Sequence, residues 1–242
     1  MCSSDLDVLD DVSALAFPTE EIKEIFAQSY PRTLPKSHIL KHSFLPQINS
    51  KKKITRNDSR KIIFRYLGEF YGPRTPTPLI QGLSILREKN PKLLENISFE
   101  FYTSDFTRRQ FSTLITEQVA HLVTWHPRVS YLKSLKLMES ADCLLNFDAF
   151  FSSKNIFLSA KIGDYIGSGT PILSFSQEGT SSNLVSKYGG IVCSQSNPVE
   201  YASKLEITIR KIGENHWREE LNKSETDCDT VAGNLLDFCK TL

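Results

Sequence analysis

The chain is 242 residues long, 40% hydrophobic and 24% charged, with a formal net charge of +1. That composition is globular, with length for one large domain or two small ones, and a charge so near zero excludes a nucleic-acid binder driven by bulk electrostatics. Five cysteines, at 2, 143, 193, 228 and 239, are odd in number and lack metal-ligand spacing. They point to reduced thiols rather than a disulfide scaffold or a metal site. No apolar run reaches the roughly 18 residues of a membrane span. The acidic start MCSSDLDVLDD lacks the basic and then apolar pattern of a secretory signal. A soluble cytoplasmic protein is the expectation.

The first third of the chain is uneven in charge. Residues 1–30 carry seven Asp and Glu against Lys23, and residues 31–65 carry ten Lys and Arg against Asp58. The densest part is KKKITRNDSRK, from Lys51 to Lys61. A solvated linker is the plain reading of such a cluster. The functional reading is peripheral contact with anionic lipid or a polyanionic acceptor.

In chain order, PTEEIKEIFAQSY (18–30) predicts a helix capped by Thr19, with Ile22, Ile25, Phe26 and Ser29 on its buried stripe. HILKHSF (38–44) reads as an extra edge strand. KIIFRYL (61–67) is β-branched and aromatic, hence a strand, and PLIQGLSILRE (78–88) places Leu79, Leu83 and Leu86 on one helical face. The alternation then repeats. Strands are predicted at ISFEFY (97–102), HLVTW (121–125), CLLNF (143–147), PILSFS (171–176) and GIVCS (190–194). Helices fall between them, at 106–119, 130–141, 156–167 and 181–190, and a further one covers 198–212. The tail suggests two more, around Trp217–Leu221 and Val231–Phe238. Short, wholly apolar strands alternating with helices imply a parallel sheet covered on both faces. The expected fold class is therefore α/β, a doubly wound Rossmann-like sheet of about six strands. The expected division is an N-terminal helix and linker at 1–37, the Rossmann-like domain at 38–212 and C-terminal helices at 213–242.

Such sheets bind ligands at the carboxyl ends of their strands, so strand-to-helix loops hold the candidate residues. The loop LGEFYGPRTPTP (67–78) offers Gly68 for close backbone approach, Glu69, and Arg74 near a helix start. In FLSAKIGDYIGSGTPILSFS (157–176), Lys161 and Asp164 stand three apart on one helical face. A surface ion pair is the plain reading. A nucleotide grip, with the ammonium on a diphosphate and the carboxylate on sugar hydroxyls, is the functional one. EGTSSN (178–183) places Gly179, Thr180 and Ser181 at a helix start, where capping competes with phosphate contact. TWHPRV (124–129) offers His126 for a base-binding loop. No cluster of His, Cys, Asp and Glu suggests a metal. Neither GxGxxG nor GxxxxGK[ST] occurs after any strand, which disfavours other phosphate-binding α/β classes.

Together these stretches resemble the C-terminal, donor-binding half of GT-B-fold glycosyltransferases of the group-1 or family-4 type, over about residues 38–212. SAKIGDYIGSGTPIL (159–173) aligns without gaps with a late motif of that half. By that alignment Lys161 holds the donor diphosphate, and Asp164 replaces the glutamate that accepts ribose hydroxyls. YLGEFYGPR (66–74) resembles the first loop, making Arg74 a diphosphate contact, and SADCLLNF (140–147) and EGTSSNLVSKYGGIVC (178–193) resemble later strands and the closing helix. Glu69 stands where many members have arginine, and Ile156 stands where many have glutamate. The resemblance implies sugar transfer from a nucleoside-diphosphate sugar with no metal or other cofactor, Arg74 and Lys161 taking up leaving-group charge. It also implies dependence on an acceptor domain from another chain, since 1–37 matches only the end of such a domain. The competing expectation is a non-catalytic nucleotide-binding or scaffold module, favoured by Glu69 and Ile156.

Overall fold

The computed structural model describes residues 8, 9, 11–44, 60–150, 155–194, 196–214, 216–223 and 226–241. Most of the basic cluster, Lys51 to Ser59, lies outside them. The chain opens with a small unit: β1 (Leu15–Phe17), α1 (Glu20–Ser29) and β2 (Ser37–Ile39). Thr19 caps α1, its hydroxyl accepting from the Ile22 N–H at 3.2 Å, as the sequence predicts. Two expectations fail here. β2 pairs in parallel with β1 in a separate two-stranded sheet and is not an edge of the main one. No residue of α1 is buried, and Ile25 is 47% exposed, although Phe26 of the same stripe packs on Phe17 with ring centres 5.2 Å apart.

The main sheet contains β3 (Ile62–Leu67), β4 (Ile97–Thr103), β5 (Val123–Pro127), β6 (Cys143–Phe147), β7 (Ile172–Phe175) and β8 (Ile191–Cys193). All pairings are parallel, in the order β5-β4-β3-β6-β7-β8. The connecting helices are α2 (Thr77–Lys89), α3 (Asp105–Phe111), α4 (Glu117–Ala120), α5 (Tyr131–Ser140), α6 (Lys161–Gly167) and α7 (Thr180–Tyr188), followed by α8 (Pro198–Gly213) and α9 (Cys228–Cys239). The fold is the α/β, doubly wound Rossmann-like architecture that the alternation implies.

Two apolar clusters explain why the strands read as apolar throughout. On one face Phe64, Phe99 and Phe101 pack against Leu79 and Leu83 of α2 and Tyr201 and Leu205 of α8. On the other, Leu144 and Ile172 pack against Ile162 and Tyr165 of α6 and Tyr188 of α7. Each such side chain contributes about 1.5–3 kcal/mol on burial. Smaller departures have local causes. The helix expected at 106–119 breaks into α3, a 3-10 turn at Ser112–Leu114 and α4. The helix expected from 156 begins at Lys161, because the Asn155 side chain accepts the Phe157 N–H at 3.0 Å and turns the chain there. The segment at Trp217–Glu220 is a 3-10 turn. No helix among the described residues is long and apolar enough to cross a membrane.

Candidate functional site

The strand order places a topological switch between β3 and β6: from β3 the chain runs outward to β4 and β5, then returns to β6 on the other side. Ligand crevices form at such points. Here the register keeps the pairing of the two strands short. β3 pairs with β4 along all six residues but with β6 only at Phe64 and Arg65. Beyond Arg65 the two strands part. The backbone of Leu67 is satisfied instead by a side chain, its N–H donating to the Tyr165 hydroxyl at 3.2 Å.

Three charged groups converge where the strands part. Arg74 comes from the β3–α2 loop, Asp148 from just past β6, and Lys161 from the first residue of α6. The Arg74 guanidinium stands 3.6 Å from Asp148 and lies over the Tyr71 ring at 4.5 Å. The Lys161 ammonium donates to the Tyr66 hydroxyl at 3.1 Å and rests 4.3 Å from the centre of that ring. Burial, helped by the neighbouring Arg74 charge, pulls the Lys161 pKa down to about 8, against the pull of Asp148 and Glu69. Burial also keeps the Tyr66 phenol protonated. The Asp148 side chain is fully buried, yet its Oδ1 accepts no hydrogen bond. Arg74 thus pairs with the buried Asp148 carboxylate, and the Lys161 ammonium is buried nearby without an ion-pair partner of its own within 4 Å among the described residues.

Gly68 is required by this packing. Its φ is +147°, and a Cβ there would overlap the Lys161 ammonium. The expected i, i+3 partnership of Lys161 with Asp164 does not form. Asp164 instead accepts a hydrogen bond from the Tyr131 hydroxyl at 2.9 Å, and burial raises its pKa despite that bond. Both charges keep their places on α6 but look to different neighbours.

The remaining candidates are engaged with the chain itself. The Glu69 carboxylate accepts from the Ser104 N–H and from the hydroxyls of Thr103, Ser104 and Thr107 at 2.6–3.1 Å, with Arg128 at 3.4 Å. Burial alone would raise its pKa, but those hydrogen bonds, led by Thr107, lower it. Glu69 therefore anchors the start of α3. His126 stacks on Tyr102 with ring centres 4.5 Å apart, its Nε2 buried and unpartnered. At the start of α7 part of the expected array of donors is engaged with the chain. The Thr180 N–H goes to the Asn155 carbonyl at 3.3 Å, the Ser181 hydroxyl to the Phe157 carbonyl at 3.1 Å, and Ser182 and Gly179 bond reciprocally at 2.9 Å. The loop before α6 lies over this helix end and takes the Thr180 N–H and the Ser181 hydroxyl. Of the α7-start groups, the Thr180 hydroxyl is buried without a partner.

Sequence reading missed Asp148, Tyr66 and Tyr131. Tyr66 opens the YLGEFYGPR stretch but reads there as a strand residue, and the other two belong to no spaced motif. The one signal for Asp148 was its position directly after a buried strand, on the ligand edge. Among the described residues the one group with metal-ligand proximity is Asp227, Cys228 and Asp229. It lies at the start of α9, an element outside the main sheet, and surrounds no buried polar group that calls for an ion.

No protein-family model matches this chain, and no curated protein sequence matches it. Solved structures do. Anabaena HepE, in complex with UDP and glucose, superposes with a TM-score of 0.69 at 12% identity, over 100% of this chain and 68% of its own. WaaG, a glycosyltransferase involved in lipopolysaccharide biosynthesis, gives 0.64 at 15% identity, over 90% of this chain and 61% of its own. A UDP-forming α,α-trehalose-phosphate synthase from Burkholderia vietnamiensis gives 0.65 at 11% identity, over 95% and 59%. The fold is that of one half of a GT-B glycosyltransferase. The chain spans about three fifths to two thirds of the length of these three proteins.

Proposed function

We propose that the chain is the donor-binding half of a glycosyltransferase, seating the diphosphate of a nucleotide sugar between Arg74 and Lys161. The observation that carries this reading is the pair of neighbouring cations, Arg74 and a buried Lys161, beside the fully buried Asp148 carboxylate at the switch point of a doubly wound sheet. A diphosphate supplies the negative charge that the pair lacks. As the bond from sugar to diphosphate breaks, charge grows on the departing phosphate, and a guanidinium and an ammonium fixed in a crevice stabilise it without reorganising. Asp148 holds Arg74 in place. Tyr66, protonated, positions the Lys161 ammonium. Asp164 accepts ribose hydroxyls once Tyr131 yields the carboxylate. Sugar transfer then needs an acceptor-side half on another polypeptide.

Titration calorimetry of the folded protein with UDP and GDP tests the seat. The expected outcome is binding that Arg74→Ala and Lys161→Ala each weaken by about 10- to 100-fold, as loss of a charge-assisted contact does. Lys161→Ala weakens it at least as much as Asp164→Ala, because the ammonium meets the charged group. Near pH 8, wild-type binding takes up a proton that the Lys161 variant does not, read from buffers of different ionisation enthalpy. Binding of neither nucleotide, or binding indifferent to both cation variants, overturns the reading.

A further inference from the structure

Residues of a parallel strand present their main-chain groups alternately to its two neighbours. On β3 the even positions face β4: the Ile62 N–H donates to the Asn96 carbonyl at 2.7 Å, and the Gly68 N–H donates to the Tyr102 carbonyl at 3.1 Å. The odd positions face β6. The Ile63 carbonyl accepts the Asp142 N–H at 2.9 Å, and Arg65 pairs with Leu144. Leu67 is the next position on that side, and the pairing with β6 stops short of it. Its main-chain groups meet the Tyr165 hydroxyl of α6 instead. The Leu67 N–H donates to that oxygen at 3.2 Å, and the hydroxyl donates to the Leu67 carbonyl at 3.5 Å. Tyr165 is fully buried, and burial pushes its phenol pKa well up, so the proton stays. One side-chain oxygen thus fills the place of a strand residue.

Tyr165 lies on the helix that Lys161 opens, one turn further along the same face. The end of β3 carries the surfaces on which Lys161 rests. Tyr66 receives the ammonium, and Gly68 leaves room for it. The loop to Arg74 starts at the same point. The other ties of α6 are remote or without direction. Ala160 gives its start no side-chain cap. Lys223 reaches the Gly167 carbonyl at 3.3 Å, and Phe44 lies against Gly167, both at the far end. Ile162 and the Tyr165 ring pack with Leu67 and Leu144, but apolar contact fixes burial, not register. We infer that Tyr165 is a positioning residue for the cation pair: its hydroxyl, standing in for β6 at Leu67, sets where α6 begins against β3, and so where the Lys161 ammonium lies relative to Arg74. This deepens the proposed diphosphate seat, and only the nucleotide arm of the test rests on that reading.

The test is Tyr165→Phe, with Tyr188→Phe as its match. Tyr188 is buried as deeply on the same sheet face, and its hydroxyl donates to the Thr170 carbonyl at 3.0 Å, at the other end of the strands. Each variant deletes a buried hydroxyl, so a loss that is merely structural is common to both. In the ligand-free protein, NMR of labelled lysine side chains titrates Lys161. Its pKa, about 8 under burial and the charges of Arg74, Asp148 and Glu69, is expected to rise by about one unit or more in Tyr165→Phe, as the ammonium regains water. In Tyr188→Phe it stays in place. UDP affinity is expected to fall about tenfold in Tyr165→Phe and to stay within about twofold in Tyr188→Phe, since only the first displaces a charged contact. In a Lys161→Ala background Tyr165→Phe costs less than about threefold, because the group that it positions is gone. Equal shifts in the two variants, or a full tenfold loss in the Lys161→Ala background, overturns the inference. If Tyr165→Phe fails to fold, the wild-type Leu67 amide decides. Its hydrogen exchange slows about tenfold on saturation with UDP, and an unchanged rate overturns the inference. The two readings fail separately. A Lys161 pKa that answers to Tyr165→Phe in a protein that binds no nucleotide keeps this inference and sinks the seat. Nucleotide binding indifferent to Tyr165→Phe keeps the seat and sinks this inference.

Discussion

The crevice between β3 and β6 and the rim at the start of α7 face the same ligand edge, and both carry residues suited to phosphate. They differ in what the chain has already done with its polar groups. At the rim, the Thr180 N–H and the Ser181 and Ser182 hydroxyls are bonded to the Asn155–Phe157 loop and to Gly179. In the crevice, two cations stand against one carboxylate, and an Asp148 oxygen accepts no hydrogen bond. A buried polar group that is satisfied stabilises the fold. One that is left short is tolerated at a cost, and the ligand that offsets the cost is the natural reason for keeping it.

The largest test of that contrast is Lys161→Met. The Lys161 pKa is about 8 when folded and near 10.4 in an unfolded chain. The unfolded state binds more protons between those values, so wild-type stability rises with pH across that window and carries the full penalty below pH 8. Replacing the charge is expected to stabilise the protein at pH 7 by up to about 3 kcal/mol, with the gap closing toward pH 10, while UDP binding is lost. Thermal melts over a pH series and calorimetry read the two effects. A Lys161→Met protein less stable than wild type at pH 7 would show that the crevice is already satisfied without a ligand.

Glu69→Ala gives the next effect, with the opposite sign. It strips four donors at the start of α3 of their acceptor, and a loss of about 2 kcal/mol is expected. The folded pKa of Glu69 lies below its ordinary value, so this stability is present above the unfolded pKa and fades as pH falls through the folded one. Nucleotide affinity of the folded variant should stay within about threefold of wild type, since the carboxylate is spent on the chain. Denaturant melts at pH 7 and pH 3.5 check the first claim; a tenfold change in affinity refutes the second. Ser181→Ala is the mildest. Losing one hydroxyl bond to the Phe157 carbonyl costs about 1 kcal/mol and leaves nucleotide affinity unchanged, which denaturation and titration compare directly.

The six strands of the main sheet were legible because each is a short apolar run set between helix-period segments, and β6 is buried along its whole length. β1 was not legible, for three residues carry no period. Arg74 and Lys161 were visible as charges on the ligand edge. Their convergence was not, since it depends on β3 and β6 parting after Arg65, a matter of register between strands almost 80 residues apart. Asp148 and Tyr66 read as ordinary neighbours of a strand until the fold sets them beside the cations. Glu69 misled for the same reason: its acceptors' worth was fixed by Thr103, Ser104 and Thr107, which lie more than 30 residues away.

The short pairing of β3 with β6 has a mechanical side. The main sheet is two three-stranded wings, β5-β4-β3 and β6-β7-β8, joined by two residue pairs, the bonds between Asp142 and Ile63, and a tyrosine hydroxyl. Arg74 follows β3 of one wing and Lys161 precedes β7 of the other, so a diphosphate held as proposed would also span the wings. On that proposal, loading the site and bracing the sheet become one event.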